Sequence, residues 1–89
     1  MKAIITVIGK DKIGILAKIS TLCAENNMNI EDVNQNIVQG MFAMTMVVDL
    51  ALCAADIDAL STLFEAEGKA FGLDVRMIQV DVYDAMYRI

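Results

Sequence analysis

Twice along this chain the apolar residues switch from the alternation of a β-strand to the three-and-four spacing of a helix and back, which leaves few ways to fold 89 residues. KAIITVIG, Lys2 to Gly9, is short, rich in Ile, Val and Thr and closed by glycine, so it reads as a strand. From Gly14, GILAKISTLCAENN sets Leu16, Ile19 and Cys23, with Ile15 and Leu22 beside them, on one helical face and turns Lys18 and Glu25 away. Asn26 and Asn27 stop that helix.

A second strand, Met28 to Gln39, alternates imperfectly. Val33, Gln35, Ile37 and Gln39 fall on one side, and Ile30, Asp32, Asn34 and Asn36 on the other, so it carries an unusual polar row. Gln39-Gly40 offers a tight turn into MFAMTMVVDL, Met41 to Leu50, which makes the pair a hairpin. The next stretch spaces Ile57, Leu60, Phe64 and Phe71 as a helix, with Asp56 and Asp58 where carboxylates suit the positive helix end, and Gly72 stops it. Leu73 to Tyr83 alternates Leu73, Val75 and Met77 against Asp74 and Arg76, a fourth strand, followed by the tail DAMYRI. Strand, helix, strand, strand, helix, strand is the ferredoxin-like βαββαβ sandwich, an α+β fold with two helices on one face of an antiparallel four-stranded sheet. No proline, linker or low-complexity stretch interrupts it, so residues 1–89 are expected to form one domain.

In that fold the sheet face away from the helices should be polar, yet both faces of AIITVI and most of both faces of MFAMTMVV are apolar. Burial against another subunit is the simplest remedy, with Met41, Met44 and Met46 suited to an adaptable contact, so a homodimer or higher homo-oligomer is expected.

Other classes fall away on composition. With 57% hydrophobic residues the chain still has no apolar run near the roughly 20 residues that a membrane helix needs. MKAIITVIGKD ends its short apolar run in charge without a cleavage site, so a cytoplasmic protein without a signal peptide is expected. Histidine is absent, which removes the usual general base, the Ser-His and Cys-His pairs and the commonest transition-metal ligand. Cys23 and Cys53 have no metal or disulfide spacing and read as free thiols. A net charge of −5 with scattered Lys and Arg points away from nucleic acid. Ser20, Ser61 and the threonines lack a base, and Asp49, Asp56 and Asp58 look like helix-entry residues, so no enzyme and no cofactor is expected.

Two features carry binding chemistry. GKDKIG has the glycine spacing of a phosphate loop, but Ile15 and Leu16 stand where its lysine and hydroxyl are required. What remains is a strand-to-helix loop whose free N–H groups near Gly14 can meet a carboxylate. Its Asp11 can cap those groups or bond a ligand's ammonium. The polar row Asn29, Asp32, Asn34, Gln35 and Asn36 is either a solvated edge or a set of donors and acceptors for a small polar ligand. The two features are expected to be neighbours, because the helix starting at Gly14 ends where the second strand begins, and the strand reaches the loop most readily across a subunit boundary.

VIGKDKIGILAKIS, then NNMNIEDVNQ, the hairpin IVQGMFAMTMVVDL and the ending VYDAMYRI resemble a stand-alone single ACT-domain protein. The group it resembles is prokaryotic and related to the ACT domains of the glycine cleavage system transcriptional repressor. The likeness covers nearly the whole chain, and the D-x-x-G-[IV]-[IL] loop with the N-I after helix one is its most specific mark. It implies a regulatory module that binds an amino acid or other small molecule between subunits of side-by-side or face-to-face dimers. It also implies a ligand site built from Asp11, Lys12, Ile13, Gly14 and Ile15 of one subunit and Asn29 and Ile30, with Asp32 or Gln35, of another. Many amino-acid-binding members carry Asn where Asp11 stands and proline where Ile13 stands, and an aspartate there favours an ammonium or a cation over a carboxylate. The expected function is amino-acid sensing on behalf of a regulated protein partner, and the alternative is a protein-interaction or dimerisation module without a ligand.

Overall fold

The computed structural model describes residues 1–81. Its elements follow the order β1 (Lys2–Lys10), α1 (Ile15–Glu25), β2 (Asn29–Val38), β3 (Met41–Asp49), α2 (Ile57–Ala70) and β4 (Leu73–Gln79). All pairings are antiparallel and the sheet order is β2-β3-β1-β4, the ferredoxin-like βαββαβ arrangement. β4 stops at Gln79 rather than Tyr83: its last rung on β1 is Ala3↔Gln79, and the chain leaves the extended conformation at residue 80. Tyr83 and the tail 84–89 lie outside the described residues. No helix among the described residues is long and apolar enough to cross a membrane.

Register explains the core. Directly opposed residues share a face, so the rows Val48–Ala3, Met46–Ile5–Met77, Met44–Val7–Val75 and Phe42–Gly9–Leu73 all point to one side. There they meet Ile15, Ile19, Leu22 and Cys23 of α1 and Leu60 and Phe64 of α2 in one cluster. Leu16, expected on the buried face of α1, is 43% exposed, since Ile15, Ile19, Leu22 and Cys23 already complete the stripe. Asp56 caps α2 by accepting the Ala59 N–H at 2.9 Å, a contact of a kind that contributes about 1 kcal/mol. Asp49 is no helix-entry residue; it closes the exit of β3 by accepting the Ala51 N–H at 2.9 Å.

Met44 and Met46 are buried in this core and do not face away from the helices, because they share their phase with Phe42 and Val48. Only Met41 of the three stands on the far face. That face has the rows Asp32–Val47–Ile4–Ile78, Asn34–Thr45–Thr6–Arg76 and Asn36–Ala43–Ile8–Asp74, an apolar centre bordered by polar strands.

β2 departs from simple alternation at one point. Ile30 pairs with Val48 and Asp32 with Val47, so Glu31 is a bulge that reverses the phase of everything before it. Ile30 therefore joins the helix side with Val33, Gln35 and Ile37, and does not share a face with Asp32, Asn34 and Asn36 as strict alternation predicts. The bulge is clamped from β1, where Lys2 Nζ lies 2.8 Å from the Glu31 carboxylate.

Candidate functional site

The loop between β1 and α1 is held at both flanks. The Asp11 N–H donates to the carbonyl of Gly40 at 2.8 Å, which ties the loop to the β2–β3 turn. On the other side Lys12 Nζ sits 4.0 Å from the centre of the Phe71 ring, at the end of α2. Gly14 then takes φ 92°, a left-handed turn into the helix that glycine adopts without a Cβ clash.

Asp11 does not cap α1: the helix begins at Gly14 with no side-chain cap, and among the described residues no side chain claims its first-turn N–H groups. The first intrahelical bond runs from Lys18 N–H to the Gly14 carbonyl at 2.9 Å. One loop thus carries an exposed carboxylate three residues before a positively polarised helix end. Ile13, in the same loop, is 99% exposed.

Asn29 lies at the opposite end of the molecule. It pairs with Asp49, and with Asn27, Ala51 and Leu52 these residues line a pocket of about 350 Å³ beside the end of α1. Eight rungs separate the Lys10↔Met41 end of the sheet from the Lys2↔Asp49 end, about 26 Å at roughly 3.3 Å per residue. The loop and Asn29 are therefore not neighbours within one chain: α1 runs back along the sheet, so its end, not its start, meets β2. Ile30 packs against the core. Asp32 and Gln35 point to opposite faces of β2, so they do not serve the same side of the strand.

Phe71 is the residue whose role the sequence pattern hides. Its spacing marks it as a helix-face residue, yet its ring receives Lys12 and lies 3.9 Å from where a Cβ on Gly14 would stand, so it shapes the loop. No spacing rule links residues 12 and 71.

Neither thiol is primed for chemistry. Burial, with the neighbouring Cys53, pushes Cys23 up to about 11, and burial with the Asp49 carboxylate raises Cys53 as well. Both remain protonated and poorly nucleophilic at neutral pH. Cys23 also imposes a pH dependence on folding. In the unfolded chain it ionises near its ordinary value of 9.0, whereas in the folded chain it holds its proton to about 11. The stability it contributes is complete below pH 9 and declines through pH 11, so urea midpoints are expected to fall over that window, and to fall less in Cys23→Ala.

A family model described as ACT domain matches residues 2–78. A UPF0237 protein of Pyrobaculum aerophilum is 41% identical over 87 residues, covering 98% of this chain and 97% of that protein. A UPF0237 protein of Clostridium acetobutylicum is 40% identical over 89 residues, with each chain covered completely. Among solved structures, an ACT domain protein from Streptococcus pneumoniae superposes with a TM-score of 0.84 at 39% identity, covering 98% of both chains. A family match across nearly every described element, joined to end-to-end relatives that share about two residues in five, places this chain in the ACT-domain family.

Proposed function

We propose that this protein is a regulatory module that senses an amino acid at a subunit interface, with Asp11 receiving the ligand's ammonium and the first turn of α1 its carboxylate. The observation that carries the reading is the Asp11–Gly40 hydrogen bond, which fixes the loop at the Val38 end of β2 while Asn29 and its pocket occupy the other end. A second copy laid antiparallel along β2 brings its own Asn29 end to this loop. Two equivalent sites then form, each with the loop of one copy and the pocket of the other. Within such a site Lys12 is engaged by Phe71 and positions the loop, while Asp11 and Asn29 are free to contact the ligand. Regulation follows from differential affinity: an amino acid held by both copies favours the assembled state and whatever partner reads it.

Thermal unfolding with each proteinogenic amino acid tests this. A ligand at 100 times its Kd stabilises by about 2.7 kcal/mol, which for a domain of this size raises Tm by roughly 10–20 °C. Asp11→Ala and Asn29→Ala are each expected to remove that rise while leaving the ligand-free Tm within about 2 °C, as befits exposed residues. Absence of a rise with every amino acid transfers the reading to a dimerisation or protein-interaction module, to which the exposed Ile13 and Leu52 are suited.

A further inference from the structure

We infer that residues 80–89 fold back as a helix over the sheet face that carries Ile4, crossing the strands from β4 towards β2. This goes beyond the amino-acid site proposed above and does not depend on it. It starts from a residue buried on the side of the sheet away from the helices.

Ile4 is 6% exposed, yet among the described residues it is the only buried apolar side chain outside the cluster that the two helices cover. On β1 it shares its phase with Thr6 and Ile8, away from that cluster. Lateral neighbours do not account for its burial. Ile78 stands on an edge strand and is itself partly buried, as is Val47 on the other flank. Two rows further along the same face Ile8 is 49% exposed, and its neighbour Ala43 is exposed too. The cover is therefore confined to the row Ile78–Ile4–Val47, at the end of the sheet where β4 finishes. Ile4 is buried within a single chain, so this cover belongs to the chain and not to a second copy.

Residues 80–89 are placed and patterned to supply it. The chain leaves β4 at Gln79, one residue past Ile78, and turns helical at Val80. Continued at helical spacing, Val80, Tyr83, Met86 and Tyr87 share one side, whereas Asp81, Asp84 and Arg88 gather on another. Ten helical residues extend about 15 Å. Four strands about 4.8 Å apart set Ile78 and Asp32, the two ends of the row, about 14 Å from each other. A helix of this length crosses the row once and leaves Ile8 open. It also brings the end carrying Arg88 to the edge carrying Asp32, where the charges are opposite. Docked there, the segment withholds the apolar row from other molecules, and stacking two sheets face to face requires it to leave.

Both tyrosines of the chain lie in this segment and tryptophan is absent, so tyrosine emission reports on it alone. In the unaltered protein acrylamide is expected to quench that emission severalfold less than in urea, and equal quenching overturns the inference. Ile4→Glu is expected to raise quenching to the urea level while thermal unfolding stays cooperative, whereas Ile8→Glu leaves it unchanged. Release by both variants alike overturns the crossing direction. Should Ile4→Glu fail to fold, nuclear Overhauser contacts in the unaltered chain decide. The ring protons of Tyr83 and Tyr87 are expected to reach methyl groups of Ile4, Val47 and Ile78, and their absence overturns the docking. In an equal mixture of isotope-labelled and unlabelled chains these contacts are expected within one chain; contacts found only between chains overturn it as well. None of these results bears on the amino-acid thermal shifts, so the two readings fail separately.

Discussion

Phe64→Ala is expected to lower the unfolding free energy by about 3–5 kcal/mol, the cost of emptying a well-packed aromatic site. Phe64 is fully buried, and it is the largest side chain that α2 places in the cluster with Ile5, Met46 and Ile19. A domain of this length has about 5–13 kcal/mol in total, so the substitution removes about a quarter or more of it and drops Tm by on the order of 20 °C. Leu63, its sequence neighbour, is 37% exposed on the outer flank of the same helix. Leu63→Ala is expected to cost less than about 1 kcal/mol. Parallel urea titrations of the two variants check the contrast, and equal losses would mean that α2 does not sit on the sheet in this phase.

Gly68→Ala carries the second large effect, and its sign depends on two opposing terms. Within a helix, alanine is favoured over glycine by about 1 kcal/mol. Against this, a Cβ at position 68 would overlap Val75 Cγ2 and come within 2.8 Å of Val75 Cβ. Val75 is itself buried and, being β-branched, cannot turn aside freely. Relief therefore requires α2 to lift off β4, and over-packing of this kind costs about 1–3 kcal/mol or more. The contact outweighs propensity, so Gly68→Ala is expected to lower Tm by roughly 10 °C. Val75→Ala in the Gly68→Ala background is expected to recover part of the loss, and a double-mutant cycle reads the coupling directly. A rise in Tm for Gly68→Ala alone would show that the helix stands further from the sheet.

Gly68 also illustrates what the chain reveals before it is folded and what it withholds. Periodicity exposes α2 and its apolar stripe, and the six elements can be placed within a few residues, because strand and helix spacing are properties of neighbouring residues. The reason for a glycine in the last turn is a crossing with Val75, which no local pattern contains. The same division runs through the site. The glycine-bracketed loop and the polar row on β2 are visible as motifs, and the absence of histidine already narrows their chemistry. The uncapped helix end is not visible, since an aspartate three residues before Gly14 is compatible with capping until the loop's path is known. Strict alternation likewise puts Ile30 beside Asp32, and one bulged residue moves it to the other face. The methionines show how a run of apolar residues on both phases conceals which phase is inside: Met44 and Met46 follow Phe42 inward, leaving Met41 outside.

The bulge at Glu31 makes β2 a strand of counted length. From Asp32 to Val38 there is an odd number of residues, so the same phase stands at both ends of the stretch and its middle falls on a residue, not between two. Adding or removing a single residue there would exchange the inward and outward sides relative to one end and shift the midpoint onto a peptide bond. A change of two residues would preserve both. Insertions and deletions in this strand are thus governed by parity, whereas the loops that join the helices are free of that rule.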